Sequence, residues 1–443
     1  MYPLKNYLSK SILISLLSFL IGSMALTLTS LVNLAIQNMY AVIIVLMAGS
    51  AGLVILFLLK WEYLLFLFAF STGFQLYDPS PYEIMFCLMI FLLLVKRIPF
   101  NRNMLNNTLF FMLVLFILFG TFSIFFAKDF QNAVSWHMIT VYLVLSAIFL
   151  VCIIKNKKQM ALFLKGYVFG AIANSLFGMI AYLIGKSQNG GSRLEAFFQD
   201  PNIFSPYIVI AILLVIEDSL SPKLFKSTFF KVFSIVLMLG ALILAMSRAG
   251  WINFGFAIAL YGVIKLLKGQ LKPSFLITII AIPFSVLVSV PYLFPDLTGQ
   301  FMGLLKERTT LQSYDTERFD ANLFTINVAE NHPFGIGPGE ITSIYYMDTH
   351  NTYLRLFAEY GWVASLSLLM VFLLLACILF KDTLLHDRKD FNLSLVLLCS
   401  LAGNLVNILV VDALHWRHFW VLIALCYYEA VYKKAFSSKG EIG

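Results

Sequence analysis

Residues 107–127 read NTLFFMLVLFILFGTFSIFFA, a run without one charged side chain. A helix needs about 20 consecutive apolar residues to cross the hydrocarbon core of a bilayer, and this stretch meets that length. It is not isolated. Apolar residues make up 60% of the 443-residue chain and charged residues only 12%, against roughly 45–50% and 25% in globular domains. Mean hydropathy is +0.87. A soluble chain of this length would need a polar coat that the composition does not supply. The sequence therefore predicts an all-α, polytopic membrane protein.

Working outward from residues 107–127, further spans are expected near 11–33, 38–60, 62–77, 82–96, 135–154, 160–185, 203–217, 229–246, 250–268, 273–293, 354–380, 392–412 and 416–433. That gives about 14 transmembrane helices, with 12 crossings plus re-entrant segments as the alternative. The first run continues well past the ~7–15 apolar residues of a signal peptide, so an uncleaved first span is expected. Residues 1–292 form an N-terminal transmembrane bundle in this reading. Residues 293–352 form one large extracytoplasmic loop, and residues 353–443 form C-terminal helices and a tail. All five cysteines (Cys87, Cys152, Cys377, Cys399, Cys426) lie in apolar runs, which predicts neither disulfides nor a metal site.

Lys and Arg favour cytoplasmic flanks. With both termini cytoplasmic, 22 of the 31 cations fall inside and 9 outside. The net charge of +8 thus reports orientation in a membrane and gives no reason to expect nucleic acid. The kind of cation is more informative. Of the inner 22, 19 are lysines; of the outer 9, six are arginines: Arg193, Arg248, Arg308, Arg318, Arg355 and Arg417. Those six sit where topology disfavours them. A guanidinium is a rigid fork of donors suited to gripping phosphate, so the outer face is expected to hold an anion. The competing explanation is surface pairing with Asp200, Glu307, Glu317 or Glu359.

Three segments carry candidate chemistry. His350-Asn351-Thr352-Tyr353-Leu354-Arg355 places a histidine where the long loop enters a helix. The positive helix end disfavours imidazolium, leaving a neutral base at pH 7; the plainer alternative is a histidine that caps the helix. Arg355 and Glu359 stand four apart and are expected to pair. Arg193-Leu194-Glu195-Ala196-Phe197-Phe198-Gln199-Asp200-Pro201-Asn202 offers an arginine ahead of a capped span, with Asp200 or Asn202 as cap. Ser247-Arg248-Ala249-Gly250-Trp251 joins an arginine to small residues that allow close packing. In the loop, Asn331-His332-Pro333-Phe334-Gly335-Ile336-Gly337-Pro338-Gly339-Glu340 reads as a tight turn approaching a ligand or a helix end; without a surrounding βαβ unit it is a poor dinucleotide fingerprint. Before it, Phe319, Leu323, Ile326 and Val328 predict a short amphipathic helix over 317–330 on the membrane surface. His415, Arg417 and His418 are expected to line the same vestibule.

HNTYLRLFAEYGW, preceded by NHPFGIGPGE, resembles the signature of the O-antigen ligase and polymerase superfamily, and RLEAFFQDPN and SRAGW are similar to two further motifs in the same order. The resemblance covers roughly residues 190–370. It implies a GT-C-like membrane glycosyltransferase of the bacterial inner membrane, inverting and metal-independent, with no cofactor. The implied donor is undecaprenyl-pyrophosphate-linked glycan, the acceptor a glycan or lipid-linked hydroxyl, and the surroundings membrane lipid; a chain-length regulator is a further partner it allows. It implies His350 as base and Arg193 and Arg318 as pyrophosphate ligands, with Arg308 in reserve. Arg248, Asn202, Asn351, Tyr353 and Arg417 complete the candidate substrate contacts. The reading leans toward a polymerase. A ligase joining finished chains to lipid A-core is the alternative, and a lipid-linked glycan flippase is the competing class. Transporters place ionisable groups near mid-membrane; here acids within spans are nearly limited to Glu359 and Glu429.

Overall fold

The computed structural model describes residues 55–75, 78–187, 193–270, 313–345, 347–385 and 390–437, with Gly52 and Gly303. The expected spans 11–33 and 273–293, most of 38–60, and Arg308 lie outside the described residues. Among the described residues every regular element is helical. The chain divides into two compact units, residues 1–99 with 155–170, and residues 100–154 with 171–443.

In the first unit, α1 (Trp61–Ser71) and α2 (Pro81–Val95) accompany the start of α5 (Lys157–Leu183). Aromatic packing organises it: Phe68 stacks on Tyr82 at 4.8 Å and meets Phe163 edge-on at 6.5 Å. Gly166 lets α5 pass directly over α1, since a Cβ there would sit 2.1 Å from the Phe66 carbonyl oxygen. At 1.5 Å per residue, α1 and α2 rise about 16 and 22 Å, short of a ~30 Å hydrocarbon core.

The second unit holds α3 (Thr108–Ser123), α4 (Phe130–Ile153), the rest of α5, α6 (Pro201–Leu220), α7 (Thr228–Leu244), α8 (Arg248–Leu267), α9 (Ser313–Asn331), α10 (Trp362–Leu385), α11 (Leu393–Asn407) and α12 (Arg417–Ser437). Six helices in the described residues are long and apolar enough to cross a membrane: α3 with its 3-10 extension to Phe126, α4, α5, α6, α8 and α10. The protein is thus a polytopic helical membrane protein. α8 packs along α11, α3 along α10, and α6 against α7. Small residues permit the closest approaches. A Cβ on Gly403 of α11 would lie 2.4 Å from the Asn253 side-chain oxygen of α8, and one on Gly250 of α8 would lie 2.3 Å from Ser205 of α6.

Two expectations change here. α6 runs three residues beyond the expected end at 217, so Glu217 and Asp218 lie inside it, both fully buried. Glu217 pairs with Lys265 of α8 at 2.8 Å and Asp218 with Lys231 of α7 at 3.0 Å. These acids occupy the last turn of α6, so they are closed at a helix end, away from its middle. The helix expected over 317–330 exists as α9, but its apolar residues do not share one face. Phe319, Leu323 and Ile326 are exposed, while Val328 is buried with Ala329, Ile341 and Ala358. At 100° per residue, Val328 lies half a turn from the Phe319 stripe.

Candidate functional site

The site begins at three helix starts. Asp200 caps α6, accepting the Asn202 backbone N–H at 2.7 Å, with Pro201 in the first turn. That settles the choice between Asp200 and Asn202 as cap, and it frees the Asn202 side chain. Ser247 caps α8, accepting the Gly250 N–H at 3.1 Å, after a left-handed turn at Met246 (φ 49°). Asn351 caps the turn Thr352–Arg355, accepting the Leu354 N–H at 3.1 Å. The cap is therefore Asn351 and not His350, which leaves the imidazole uncommitted to the helix end. Asx and Ser residues take this role because their oxygens replace the missing intrahelical acceptor. Helix starts carry partial positive charge and suit anions.

These elements wall a cavity of about 510 Å³. Arg193 and Asn202 line it from the start of α6, and Met246, Arg248, Ala249 and Ile252 from the α7–α8 corner. α9 contributes Arg318, Phe319 and Asn322; His350 comes from the loop before Thr352; Leu409, Val410 and Val411 follow α11. Arg193, Arg248, Arg318, Asn202 and His350, separated by up to 157 positions in the chain (193 to 350), thus share one concavity. Its rim is apolar, since Ile252, Phe319, Leu409 and Val410 are all exposed.

Neighbours aim the polar groups. Arg193 donates from Nε to the Ala245 carbonyl at 3.2 Å and from a terminal nitrogen to Asn202 Oδ1 at 3.4 Å. Asn202 Oδ1 also accepts from the Ser247 hydroxyl at 2.8 Å, tying the starts of α6 and α8 together. The Leu194 N–H donates to the Leu244 carbonyl at 3.0 Å, fixing the Arg193 segment on the end of α7. α9 is joined to the His350 loop by the Thr325–Thr349 hydroxyl pair at 2.5 Å. Burial, and then the positive charge of Arg318, hold His350 below its ordinary pKa, against the opposing pull of Asp412 and Asp200. The imidazole is consequently neutral near pH 7 and able to accept a proton.

Other sequence candidates fall elsewhere. Tyr353 donates its hydroxyl to the Leu405 carbonyl at 2.8 Å, a tie to α11. Arg417 begins α12 and is not among the cavity-lining residues. His415 bonds Thr140 of α4 at 3.0 Å, and His418 is fully buried among Phe198, Tyr207 and Trp416, so the expected His415–Arg417–His418 vestibule is not formed. His332 turns back to the Val328 carbonyl at 3.0 Å and finishes α9. The glycine turn approaches a helix end: Ile336 N–H donates to the Ala358 carbonyl at 2.9 Å and Gly337 N–H to the Glu359 carbonyl at 3.1 Å. Gly335, Gly337 and Gly339 all have positive φ.

The expected Arg355–Glu359 pair exists at 3.7 Å, but Arg355 engages Asp348 and Asp412 more closely. Sequence reasoning missed both acids and also Asn322. Asp412 did leave a signal, a lone acid in the run NILVVDALHW. Among the described residues no three His, Cys, Asp or Glu side chains gather as metal ligands.

Residues 233–369 match the family model described as O-antigen ligase. The matched segment includes Arg248, Arg318, the glycine turn and His350; Arg193 and Asn202 lie before it. The match covers less than half of the chain and supports the resemblance to the O-antigen ligase and polymerase superfamily. No curated protein matches the chain.

Proposed function

With an O-antigen ligase domain at residues 233–369 as premise, we propose that the protein transfers glycan from undecaprenyl pyrophosphate to an acceptor hydroxyl in surface-polysaccharide synthesis. The observation that carries this reading is the convergence of Arg193, Arg248 and Arg318 with His350 on one cavity. Three guanidinium groups and two helix starts suit a diphosphate, and they supply charge neutralisation without a metal ion. The exposed apolar rim of Ile252, Leu409 and Val410 suits a carrier whose tail stays in lipid.

In this mechanism the bond between the sugar C1 and the pyrophosphate oxygen breaks as the acceptor oxygen attacks the opposite face, inverting the anomeric centre. The electron pair leaves on the diphosphate, where the arginines stabilise it. The acceptor proton passes to the neutral His350 imidazole. Anchoring the carrier tail in the bilayer lowers the orientational cost of binding. The cavity faces the extracytoplasmic side in this reading, and both termini face the cytoplasm. The acceptor is another carrier-linked unit, making the enzyme a polymerase.

The test is transfer by purified His350→Ala protein, using carrier-linked glycan from the producing strain. A loss of about 10²–10⁴-fold is expected. Full activity in folded protein rules out the base. Surface glycan from a deletion strain distinguishes the acceptors: single-unit decoration supports a polymerase, and long unattached chains support a ligase.

A further inference from the structure

We infer that Arg355 is a positioning residue for the transfer reaction, clamping the loop that carries His350 to the adjoining loop 409–412, whose residues Leu409–Val411 line the same cavity. This rests on His350 as the base. Arg355 stands five residues after His350, is 2% exposed, and is not among the cavity-lining residues, so it acts through other groups.

Its guanidinium has four neighbours from four segments. One terminal nitrogen meets the Asp348 carboxylate, two residues before His350, and the other meets Asp412, which directly follows Leu409–Val411 in the cavity wall. Nε faces Glu359 at 3.7 Å. The guanidinium carbon lies over the Trp136 ring of α4, 5.3 Å from its centre. Glu359 extends the clamp to the glycine turn, accepting the N–H groups of Gly339 at 2.8 Å and Ile341 at 3.2 Å. Thr352 stitches the same two loops beside it. Its N–H donates to the Ile408 carbonyl at 3.0 Å, and its hydroxyl donates to the Val411 carbonyl at 3.0 Å and accepts the Ala413 N–H at 2.9 Å.

Only a planar fork can reach two carboxylates in different directions at once; an ammonium is a single point charge. Three carboxylates surround this one cation. Without it, Asp348 and Asp412 repel each other, and the loops they belong to lose their register. The Asp412 charge would also act on His350 undiminished. The charged groups facing His350 are Arg318 from α9, Asp200 from the cap of α6, and Asp412; Arg193 and Arg248 line the same cavity. Removing Arg355 tilts this balance toward the carboxylates and so toward imidazolium. An imidazolium cannot take the acceptor proton.

The experiment measures transfer between pH 5 and 8 for the wild type, Arg355→Gln, Arg355→Lys, Arg355→Gln with Asp412→Asn, and His350→Ala. For Arg355→Gln, kcat falls at least about tenfold while the donor KM stays within about threefold, and the acid limb of the profile moves up by about one pH unit. Adding Asp412→Asn returns the limb toward the wild-type position, and Arg355→Lys recovers only part of kcat. If Arg355→Gln does not accumulate as folded protein, Asp348→Asn removes one arm of the clamp at a half-exposed carboxylate, and its kcat must fall at unchanged donor KM. An inactive His350→Ala beside an Arg355→Gln of wild-type kcat and acid limb overturns this inference alone. A loss of rate that only follows the folded fraction, with the limb unmoved, does the same. An active His350→Ala overturns the base reading, and this inference with it.

Discussion

Gly335→Ala tests how the segment that follows His350 is held. Gly335 has φ +80°, and a Cβ built there lies 2.3 Å from the Glu359 carbonyl oxygen and 2.7 Å from the Gly361 nitrogen. Both are backbone atoms, so neither can swing aside. The turn must retreat by roughly an ångström to reach ordinary contact near 3.4 Å. That movement strains the Ile336–Ala358 and Gly337–Glu359 hydrogen bonds at 2.9 and 3.1 Å, and the Trp362–Pro333 bond at 2.9 Å beside them. Each bond is worth about 1 kcal/mol net, and the left-handed backbone costs an alanine roughly 1 kcal/mol more. The expected loss is about 3–4 kcal/mol. Gly185→Ala is the control: its φ is +66°, but nothing lies within 4 Å of the added Cβ, so only the conformational cost of about 1 kcal/mol applies. Gly361→Ala meets the same contact from the other side, 2.8 Å from the Gly335 nitrogen. The Gly335/Gly361 double variant should therefore lose less than the sum of the singles. Thermal unfolding in detergent, scanned at one rate for all four variants, reads the order. Equal loss for Gly335→Ala and Gly185→Ala would refute docking of the turn on residues 358–361.

Two further outcomes follow. Arg318 is one of the causes that hold the His350 pKa down, and activity is lost as pH falls through that pKa. Arg318→Gln should move the acid limb of kcat/KM to higher pH, whereas Arg318→Lys keeps the charge and the limb but lowers the rate; identical limbs in the two variants would count against the assigned geometry. Lys265→Met leaves fully buried Glu217, among the described residues, with the Tyr261 hydroxyl and the Asn392 N–H as its hydrogen-bond donors, a change that costs about 3–5 kcal/mol in buried pairs. Because Glu217 lies 15 residues along α6 from Asn202, about 22 Å, the donor KM should not move; a wild-type melting curve would show that the pair does not hold the bundle.

What the sequence made legible was local or compositional. The Asp200-Pro201 start of α6 follows from capping within three residues, and Arg193, Arg248 and Arg318, which share the cavity, stand out in the sequence as arginines where a topology rule expects few cations. The partners of Arg355 were hidden because Asp412 lies 57 residues away, and no periodicity reaches that far. The Glu359 partner four residues on was visible, but it proved the more distant of the three acids. α9 misled for a physical reason. Apolar residues at 319, 323, 326 and 328 look like one stripe only if the half-turn between 319 and 328 is ignored. Its packed face is made of small and polar residues, Ala321, Thr325 and Ala329, together with Val328. His415 and His418 looked like vestibule residues because they neighbour Arg417 in sequence, yet each packs inward against α4 or α6 aromatic and hydroxyl groups.

Arg193, Arg248 and Arg318 line the cavity, whereas Arg355 is buried outside its lining. Arg355 is enclosed by carboxylates, as are the lysines at the far ends of α7 and α8, where Lys231 and Lys265 meet Asp218 and Glu217. A buried cation matched to a carboxylate has its charge spent on architecture, and removing either partner is costly. Arg193 donates to the Ala245 carbonyl and to Asn202 Oδ1 and lines the cavity wall. The same helix, α6, therefore begins at the cavity wall and ends in two buried ion pairs. In the proposed mechanism it is the end of α6 at the cavity, and not the end closed by Lys231 and Lys265, that meets the substrate.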